Sequence, residues 1–398
     1  MVKKIKIREA CSINESTYSP KENWKFINYL DTGNITNNKI ESIQYIDPTS
    51  DKLPSRARRK VRNNNIIYST VRPNQKHFGI IKSQPEHFLV STGFAVLNVN
   101  ENIMNPDYLY YLLTQNEYID TLHSIAEQST STYPSIKPSD IGDLDVEIPN
   151  LKIQNKVVDI LSTIDKKIKI NEEINKNLQL QAQTLFTAWF ETFEPFDGVV
   201  PDSWQQITLG DIAEIKTNSF NPQKNPDALI EHYSIPAFDE NKYPVFEYGS
   251  GIKSNKYILS NNSVMISKLN PDTKRVWRPL CLSDLAVSST EFIIFEPYNP
   301  KYKDYVYSVI DSQGFTDWMC SHTTGSTNSR QRTTPATTLN YNLWMPDDES
   351  IEKFLNAVTP MYDLISQNLC QNQELVSLRD SLLPKLMSGE LDVSEIDI

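Results

Sequence analysis

The chain contains one long segment twice, and this internal repeat constrains the fold more than any other feature of the sequence. The segment IIYSTVRP at 66–73 aligns with VMISKLNP at 264–271, a shift of 198 residues in a chain of 398. The same shift aligns STGF at 91–94 with STEF at 289–292. Chance alignment of short apolar strings is the alternative, but one shared shift over separate regions argues against it. Because solenoid and propeller repeats are only about 20–50 residues long, we predict two copies of a whole domain.

Each copy is predicted to hold a mixed α and β module, followed by a long helix. Four strand-like runs are bounded by Asn, Asp, Pro and Gly turns: Ile66–Val71, Phe88–Leu97, Tyr257–Ser267 and Glu291–Glu296. A shorter helical pattern covers Pro106–Ala126 in the first copy and Tyr302–Cys320 in the second. The expected order is therefore module, helix, module, helix.

The two long helical stretches, 151–189 and 349–387, carry apolar residues at alternating spacings of four and three. The first seam is Val157, Leu161, Ile164, Ile168, Asn171, Asn175, Leu178, Ala182, Leu185 and Trp189, and the second is Val358, Tyr362, Ile365, Leu369, Asn372, Val376, Arg379, Leu383 and Leu386. Sustained 4-3 spacing is typical of a coiled coil, and a polar step in such a seam selects its register.

We predict an antiparallel pair, because the chain must return from the second module to the first. The residues Leu161, Ile164, Leu178 and Leu185 should then face Ile365, Leu369, Val376 and Leu383. The alternative is two ordinary amphipathic helices, each packed on its own module. The predicted fold class is α+β: two α/β domains in tandem repeat, separated and followed by long α-helices that pair as an antiparallel coiled coil.

Composition narrows the class of protein. The chain is long enough for two or three domains, and no apolar run approaches the ~18 residues of a membrane span. The N-terminal MVKKIKIREAC is not followed by an apolar stretch, so no signal peptide is expected. The four cysteines and five histidines are scattered without metal-ligand spacing, which favours reduced thiols, a cytoplasmic protein and no metal site.

Charge is distributed unevenly, although the chain carries a net charge of −11. Residues 51–90 have a local charge of +7 and residues 253–278 one of +5, whereas residues 347–398 have a local charge of −8. Basic patches at matching places in both copies predict two surfaces that face an anion such as DNA. The loops 127–138 and 324–335 add Ser, Thr, Asn, Gln and Arg, which exchange hydrogen bonds with base edges. Solvated charged faces and ordinary polar loops are the plain alternative.

These patches supply the candidate DNA-binding residues. In the first copy they are Arg56, Arg58, Arg59, Lys60, Arg62, Arg72, Lys76, Ser129, Thr130, Tyr133 and Lys137. In the second copy they are Lys268, Lys274, Arg275, Arg278, Ser326, Thr327, Ser329, Arg330 and Arg332. We expect Lys274, Arg275 and Arg278 to be the counterparts of Arg56, Arg58 and Arg59.

The sequence contains no recognisable catalytic motif. There is no GxxxxGK[ST], GxGxxG, HExxH or GxSxG, and no adjacent pair of prolines of the kind an amino-methyltransferase motif requires. We therefore expect a non-catalytic protein, with any linked reaction carried out by partners.

With these features described, the chain resembles the specificity (S) subunits of type I DNA restriction–modification systems, the HsdS family. The resemblance covers essentially the whole length. Its most specific segments are ILSTIDKKIKINEEINKNLQLQAQTLFTAWF (160–190) and LVSLRDSLLPKLMSGELDV (375–393). The segments YLDTGNI (29–35), RARRKVRNNNIIYSTVRP (56–73), STYPSIKPSDIGDLDVEIP (131–149) and GSGIKSNKYILSNNSVMISKLNP (249–271) resemble the family's target-recognition domains.

The resemblance implies four segments: target-recognition domains at 1–149 and 197–346, and helical spacers at 150–196 and 347–398. It implies that each domain reads one half of a bipartite, asymmetric site in double-stranded DNA, while the helices dock two methyltransferase subunits. Those partners would use S-adenosylmethionine to methylate adenine N6, and motor–nuclease subunits would use ATP and Mg²⁺. No cofactor is expected in this chain.

Apolar side chains at the helix ends exceed what a two-helix seam can bury, so we expect an exposed patch that binds the methyltransferase. Its residues are Phe186, Trp189, Phe190, Leu382, Leu386 and Met387. Two other classes of protein compete with this interpretation. One is an enzyme, against which the missing methylation motif argues, and the other is a sequence-specific DNA-binding protein that acts alone.

Overall fold

The computed structural model describes residues 2–129, 133–324 and 331–396. It divides into two compact units: Met1–Lys166 together with Ser377–Ile398, and Lys167–Val376. Both boundaries fall inside long helices, so each unit joins one module to part of each helix. We call the described residues up to 149 the first module and those of 197–346 the second module.

The first module is a set of short strands followed by short helices. Its strands are β1 (Lys3–Lys6), β2 (Cys11–Ile13), β3 (Ile27–Leu30), β4 (Ile35–Thr36), β5 (Lys39–Ile40), β6 (Gln44–Ile46), β7 (Ala57–Lys60), β8 (Ile66–Ser69), β9 (Phe78–Ile80), β10 (Phe88–Ser91), β11 (Phe94–Val99) and β12 (Asp145–Ile148). Its helices are α1 (Ile7–Ala10), α2 (Pro106–Leu113), α3 (Asn116–Glu127) and α4 (Pro138–Gly142), and the long helix α5 (Leu151–Phe190) follows.

Two four-stranded sheets form the centre of the first module, in the orders β6-β3-β10-β7 and β2-β11-β8-β9. Strands β3 and β10 are parallel, and the other pairs in these sheets are antiparallel. Strand β8 is buried on both faces, since Ile66 and Tyr68 belong to one core and Ile67 to another. The first of these cores also contains residues of α2, α3 and the start of α5, which attach the module to its helix.

The second module has the following elements. Its strands are β13 (Gln205–Thr208), β14 (Ala213–Lys216), β15 (Ser219–Phe220), β16 (Leu229–Tyr233), β17 (Val245–Tyr248), β18 (Lys256–Ile258), β19 (Val264–Ser267), β20 (Val276–Trp277), β21 (Ala286–Ser289), β22 (Phe292–Pro297), β23 (Thr323–Thr324), β24 (Arg332–Thr333) and β25 (Asn342–Met345). Its helices are α6 (Ile235–Asn241), α7 (Lys303–Ile310), α8 (Gln313–Ser321) and α9 (Pro335–Thr338), and the long helix α10 (Asp348–Met387) follows.

The strand order of the first module recurs in the second, which confirms the predicted tandem repeat. The orders β17-β16-β21-β18 and β14-β22-β19-β20 match the two central sheets, and the pair β13-β25 matches β1-β12. The parallel pair recurs as β16 and β21. A fifth strand, β15, extends one sheet of the second module beside β18.

Some predicted elements are shorter than the sequence pattern suggested. The run Phe88–Leu97 is two strands, β10 and β11, separated by a turn at Thr92 and Gly93. A Cβ on Gly93 would lie 2.8 Å from the methyl of Thr32, so this close approach favours glycine. The run Tyr257–Ser267 is also divided, between β18 and β19.

The predicted single helices at 106–126 and 302–320 are each two helices that share one apolar pattern. Helix α2 ends before Thr114, and α3 begins at Asn116. In the second module the hydroxyl of Ser312 accepts a hydrogen bond from the N–H of Phe315 and caps α8. The start of a second helix leaves backbone N–H groups without partners inside that helix, and a capping side chain such as that of Ser312 accepts a hydrogen bond from one of them.

Helices α5 and α10 run antiparallel, as predicted. In the first unit the guanidinium of Arg379 lies 2.9 Å from the carboxylate of Asp165. Near the N-terminal end of α5, the ammonium of Lys156 donates a hydrogen bond to the carbonyl oxygen of Ser394 at 2.6 Å. Leu161 packs in a core of this unit against which Leu383 also packs.

The polar step predicted in the seam lies in the second unit. The amide of Asn171 is buried and donates to Gln371 and Asn372, both at 2.8 Å. One turn further, Asn368 donates to Asn175 at 2.8 Å. Because these amides pair only in one alignment of the helices, they fix the register of the seam.

Within the described residues, no helix combines the length and the apolar character that crossing a lipid bilayer requires.

Candidate nucleic-acid interface

Three segments distant in sequence meet at one end of the first module. The N–H of Thr70 donates to the carbonyl of Gly93 at 2.8 Å, which joins the loop after β8 to the turn after β10. The N–H of Arg72 donates to Pro134 at 2.9 Å, and the N–H of Ile136 donates back to Thr70 at 2.8 Å. We call residues 31–33, 56, 70–72, 91–93 and 133–136 the first loop end.

Cationic and aromatic side chains project from the first loop end. Arg72 adopts a left-handed backbone conformation (φ +48°), and its guanidinium lies 5.0 Å from the centre of the Tyr133 ring. Tyr133 is 56% exposed, although it is a large aromatic residue. The carbonyl of Arg56 accepts a hydrogen bond from the N–H of Thr92 at 2.9 Å, which places Arg56 beside the same turn.

A carboxylate accompanies these cations. Burial raises the pKa of Asp31, but hydrogen bonds from the Thr32 N–H, Ser91 and Tyr29, with the charge of Arg56, outweigh burial and lower the pKa. Asp31 is therefore ionised at neutral pH and can accept hydrogen bonds. The first loop end thus presents both donors and acceptors.

The predicted basic stretch of the first module does not form one patch. Arg58 and Arg59 lie on β7, while Lys60 forms an ion pair with Glu22 and lies 5.2 Å from the centre of the Trp24 ring. Arg62 pairs with Glu15 at 3.1 Å. Residues further along β7 lie farther from Ser91, because the register pairs Ala57 with Ser91 and Lys60 with Leu89.

Three other candidates of the first module have local contacts. Lys76 has φ +57°, and its carbonyl accepts a hydrogen bond from the N–H of Asn37. The backbone of Lys137 caps α4 and donates to Asp140 at 2.7 Å. The hydroxyl of Ser129 accepts a hydrogen bond from the N–H of Ser135 at 3.3 Å, next to the first loop end.

The second module repeats the backbone connections. The N–H of Asn270 donates to Gln331 at 2.9 Å, the N–H of Thr333 donates to Lys268 at 3.1 Å, and the N–H of Lys268 donates to Glu291 at 2.9 Å. We call residues 268–270, 289–291 and 331–333 the second loop end. It includes two of the predicted candidates, Lys268 and Arg332.

The side chains of the second loop end differ from those of the first. The guanidinium of Arg332 forms a bidentate pair with Glu291, with Nε–Oε2 at 3.0 Å and Nη2–Oε1 at 3.2 Å. In the aligned repeat Glu291 occupies the position of Gly93, and the β-bridges place Arg332 at the position of Ser135. An ion pair in one module therefore replaces two small residues in the other.

The expected correspondence between the two basic groups is wrong. Strand β7 pairs with β10, and the strand that pairs in the same way with β21 is β18. The counterpart of the Arg56–Arg62 stretch is therefore near Lys256, whereas Lys274, Arg275 and Arg278 flank β20. The 198-residue shift of the repeat agrees with this pairing, since it aligns Arg58 with Lys256 and Lys274 with Lys76.

Each of these three cations is neutralised within its own unit. The ion pairs are Lys274 with Asp311 at 3.0 Å, Arg275 with Asp239 at 2.6 Å, and Arg278 with both Asp304 at 2.7 Å and Asp363 at 2.8 Å. The Arg278 side chain is only 16% exposed. It fastens α7 to α10, so an intramolecular role accounts for its position.

The remaining predicted residues of the loops lie outside the described part of the chain. They are Thr130, Ser326, Thr327, Ser329 and Arg330.

The apolar residues of the predicted partner-binding patch are not exposed, so the expectation of an exposed patch at the helix ends is wrong. Phe186 and Phe190 are buried in the core of the second unit, and Leu386 and Met387 are buried in a core of the first. Trp189 and Leu382 pack half-buried against the same cores. The modules cover the outer faces of the helix ends, so the apolar surplus is buried inside the chain.

Sequence reasoning missed Asp31, the Gly93 turn and Glu291 as parts of the loop ends. The signal was present in the aligned strings STGF and STEF, which differ only at Gly93 and Glu291. A change from glycine to a charged residue inside an otherwise identical turn marks a place where the modules have different surfaces.

Comparisons with known proteins agree with this architecture. A model of the family described as "Type I restriction modification DNA specificity domain" matches residues 2–180. The Type I restriction enzyme HindI specificity subunit of Haemophilus influenzae is 23% identical, covering 91% of this chain and 94% of that protein. The Type I restriction enzyme MjaIX specificity subunit of Methanocaldococcus jannaschii is 26% identical over 76% of this chain and 73% of that protein.

A solved structure supports the fold. The S subunit of a type I restriction–modification system from M. genitalium has a TM-score of 0.58 at 15% identity, covering 97% of this chain and 96% of that one. Taken with the two sequence relatives and the repeated module, this likeness extends over both halves. Residues 2–180 therefore belong to the family of type I restriction–modification DNA specificity domains, and the chain as a whole is similar to type I restriction enzyme specificity subunits.

Proposed function

We propose that this chain is the DNA-recognition subunit of a type I restriction–modification complex. Each module reads one half of a bipartite, asymmetric site in double-stranded DNA through its loop end. The observation that carries the proposal is the repeated backbone with different side chains at the same place. Similar scaffolds with different surfaces suit two different DNA sequences, and the half-sites should therefore differ.

The chemistry of the loop ends supports binding to DNA. Arg72, Tyr133 and Arg56 lie together in the first, and Lys268 and Arg332 in the second. Cationic side chains contact phosphates and base edges, and carboxylates such as Asp31 accept from cytosine N4. Both chemistries occur beside rigid backbone connections, as specific recognition requires.

We further propose that α5 and α10 bind two methyltransferase subunits. Exposed apolar side chains support this, including Leu180 on α5 and Leu378 on α10, which are 60% and 47% exposed. The partners would bind S-adenosylmethionine and methylate adenine N6, and a motor–nuclease partner would use ATP and Mg²⁺. The chain itself would act without a cofactor and without catalysing a reaction.

The alternative is a sequence-specific DNA-binding protein that acts without these partners. Such a protein would use the same loop ends, so DNA binding alone does not separate the two functions. Exposed apolar residues on the long helices favour the complex, since a protein that binds DNA alone does not need them.

The deciding experiment combines co-purification with methylation mapping. An affinity-tagged chain expressed in its host should co-purify a methyltransferase, and N6-methyladenine should occur at one asymmetric bipartite site. Deleting the gene should abolish methylation at that site, and restoring it should restore the modification. DNA binding without a co-purified methyltransferase, and an unchanged methylation map after deletion, would support the stand-alone alternative.

Exchange of a module tests the assignment of half-sites. Replacing residues 1–149 with those of a relative should change one half of the methylated site and leave the other half intact. Simultaneous loss of both halves, in a protein that still folds and binds its partner, would contradict independent reading.

A further inference from the structure

We infer that Arg332, oriented by Glu291, is a specificity-determining residue that reads a guanine in the half-site of the second module. This inference rests on the proposed function and deepens it. It assigns the recognition of one kind of DNA base, guanine, to one side chain.

The ion pair between Arg332 and Glu291 leaves one edge of the guanidinium available to contact a base. Arg332 uses Nε and Nη2 to contact the two oxygens of Glu291, at 3.0 and 3.2 Å. Within the described ranges, Nη1 makes no hydrogen bond. The remaining Nη1 and Nη2 hydrogens form the second fork of the guanidinium, which matches the O6 and N7 acceptors of guanine in the major groove.

The backbone holds Arg332 in place from two sides. Strand β24 pairs with β23, where Thr324 lies opposite Arg332 and its hydroxyl donates to the Arg332 carbonyl at 3.2 Å. On the other side Arg332 forms a β-bridge with Leu269. Because the backbone and one edge of the side chain are both fixed, little conformational entropy is lost when the other edge binds a base.

Exposure distinguishes this pair from the other arginine pairs of the second module. The Arg332 side chain is 44% exposed, whereas Arg275 and Arg278 are nearly buried in their pairs. A guanidinium that is enclosed by its own partners has no free edge to present to a base. The exposed pair at the second loop end is suited to contact a ligand.

The experiment compares sequence preference with general affinity. Wild-type protein in its complex, Arg332→Ala and Arg332→Lys would be assayed against a library of DNA sites, with thermal unfolding measured in parallel. Arg332→Ala should reduce discrimination roughly 5- to 150-fold at one guanine position of one half-site, the range that a bidentate pair contributes. Arg332→Lys should lose the same discrimination but keep more affinity for all sequences, since the charge remains without the planar fork.

A second variant tests the role of the carboxylate. Glu291→Gln should weaken discrimination at the same position less than Arg332→Ala does, because the guanidinium stays but is held less firmly. Arg8→Ala is the matched control, since Arg8 forms an exposed pair with Asp143 at 2.5 Å in the first module. It removes the same charge and should leave the sequence preference unchanged.

Several results would overturn the inference. A second half-site that contains no guanine on either strand would do so, as would an equal loss of affinity at every position. Unchanged preference in Arg332→Ala would show that the pair only fastens the loop. These outcomes leave the proposed function intact, whereas wild-type protein without any bipartite site preference would contradict the proposed function itself.

Discussion

The two modules share a backbone and differ in the side chains at their loop ends. In the first, the turn after β10 carries Gly93 and the crossing loop carries Ser135, while in the second the same places hold Glu291 and Arg332. In both modules, hydrogen bonds between main-chain atoms join these loops at matching positions. Main-chain bonds do not depend on side-chain identity, so the loop ends can change their surface without changing their support.

The basic residues show the same contrast between support and surface. Arg278 pairs with the buried Asp304 and also with the exposed Asp363, and its own side chain is largely covered, whereas Arg56 lies at the exposed first loop end. Both belong to basic stretches that look alike in sequence. A basic stretch in the sequence therefore indicates candidate residues for a DNA-binding surface, and burial in the folded chain decides which of those cations belong to it.

The largest expected effect concerns the core that attaches the second module to α10. Phe354 is fully buried against Phe190 and Tyr305. Phe354→Ala should lower the free energy of unfolding by about 3–5 kcal/mol. Leu364→Ala, on an exposed face of the same helix, should change it by less than about 0.5 kcal/mol. Urea titration followed by tryptophan fluorescence measures both, and equal effects would contradict the assigned burial.

The next effect sharpens the comparison between supporting and surface cations. Asp304→Ala removes the buried partner of Arg278 and should cost about 3 kcal/mol, the low end for a buried pair, because Asp363 remains. Asp363→Asn, which alters the exposed partner of the same arginine, should cost less than about 1 kcal/mol. Thermal unfolding distinguishes them, and a larger loss for Asp363→Asn would reverse the assignment.

A third prediction separates the two ends of the first basic stretch. Arg56→Ala should weaken DNA binding by about 1–3 kcal/mol if Arg56 reads a base, or reduce the salt slope by about one if it contacts phosphate. Arg62→Ala removes the same charge from a pair with Glu15 and should change neither quantity. DNA titrations at several salt concentrations provide the test. Equal losses for both variants would show that the whole stretch contacts DNA.

The smallest effect is the pH dependence of the first loop end. The pKa of Asp31 is lowered in the folded protein, so its contribution to stability is present above the ordinary carboxyl pKa of about 4 and is lost as the pH falls through the folded value. Since Asp31 is half-buried, Asp31→Asn should cost less than about 1 kcal/mol at neutral pH. The difference in melting temperature between the variant and wild type should vanish in acid. A difference that grows as the pH falls would contradict the assigned shift.

Sequence patterns were sufficient for the features that depend on neighbouring residues or on regular spacing. The 198-residue repeat predicted two similar modules, and the 4-3 spacing predicted the paired helices and the polar step at Asn171 and Asn372. The antiparallel direction of the pair was predicted from the order of modules and helices along the chain. Such patterns can be recognised without a structure, because the residues of a helical seam or of a repeated strand recur at regular spacing along the chain. The resemblance to type I specificity subunits rests on segments of the same helices.

Tertiary structure alone decided which charged and apolar residues are on the surface. Phe186 and Met387 are as apolar as an exposed patch requires, but the modules cover them. Likewise, Arg275 is neutralised by Asp239, and Arg332 is held by Glu291 at an exposed loop end. These partners are about 36 to 41 residues apart in the chain. No local period connects residues at such distances, so their contacts depend on how the strands and loops pack.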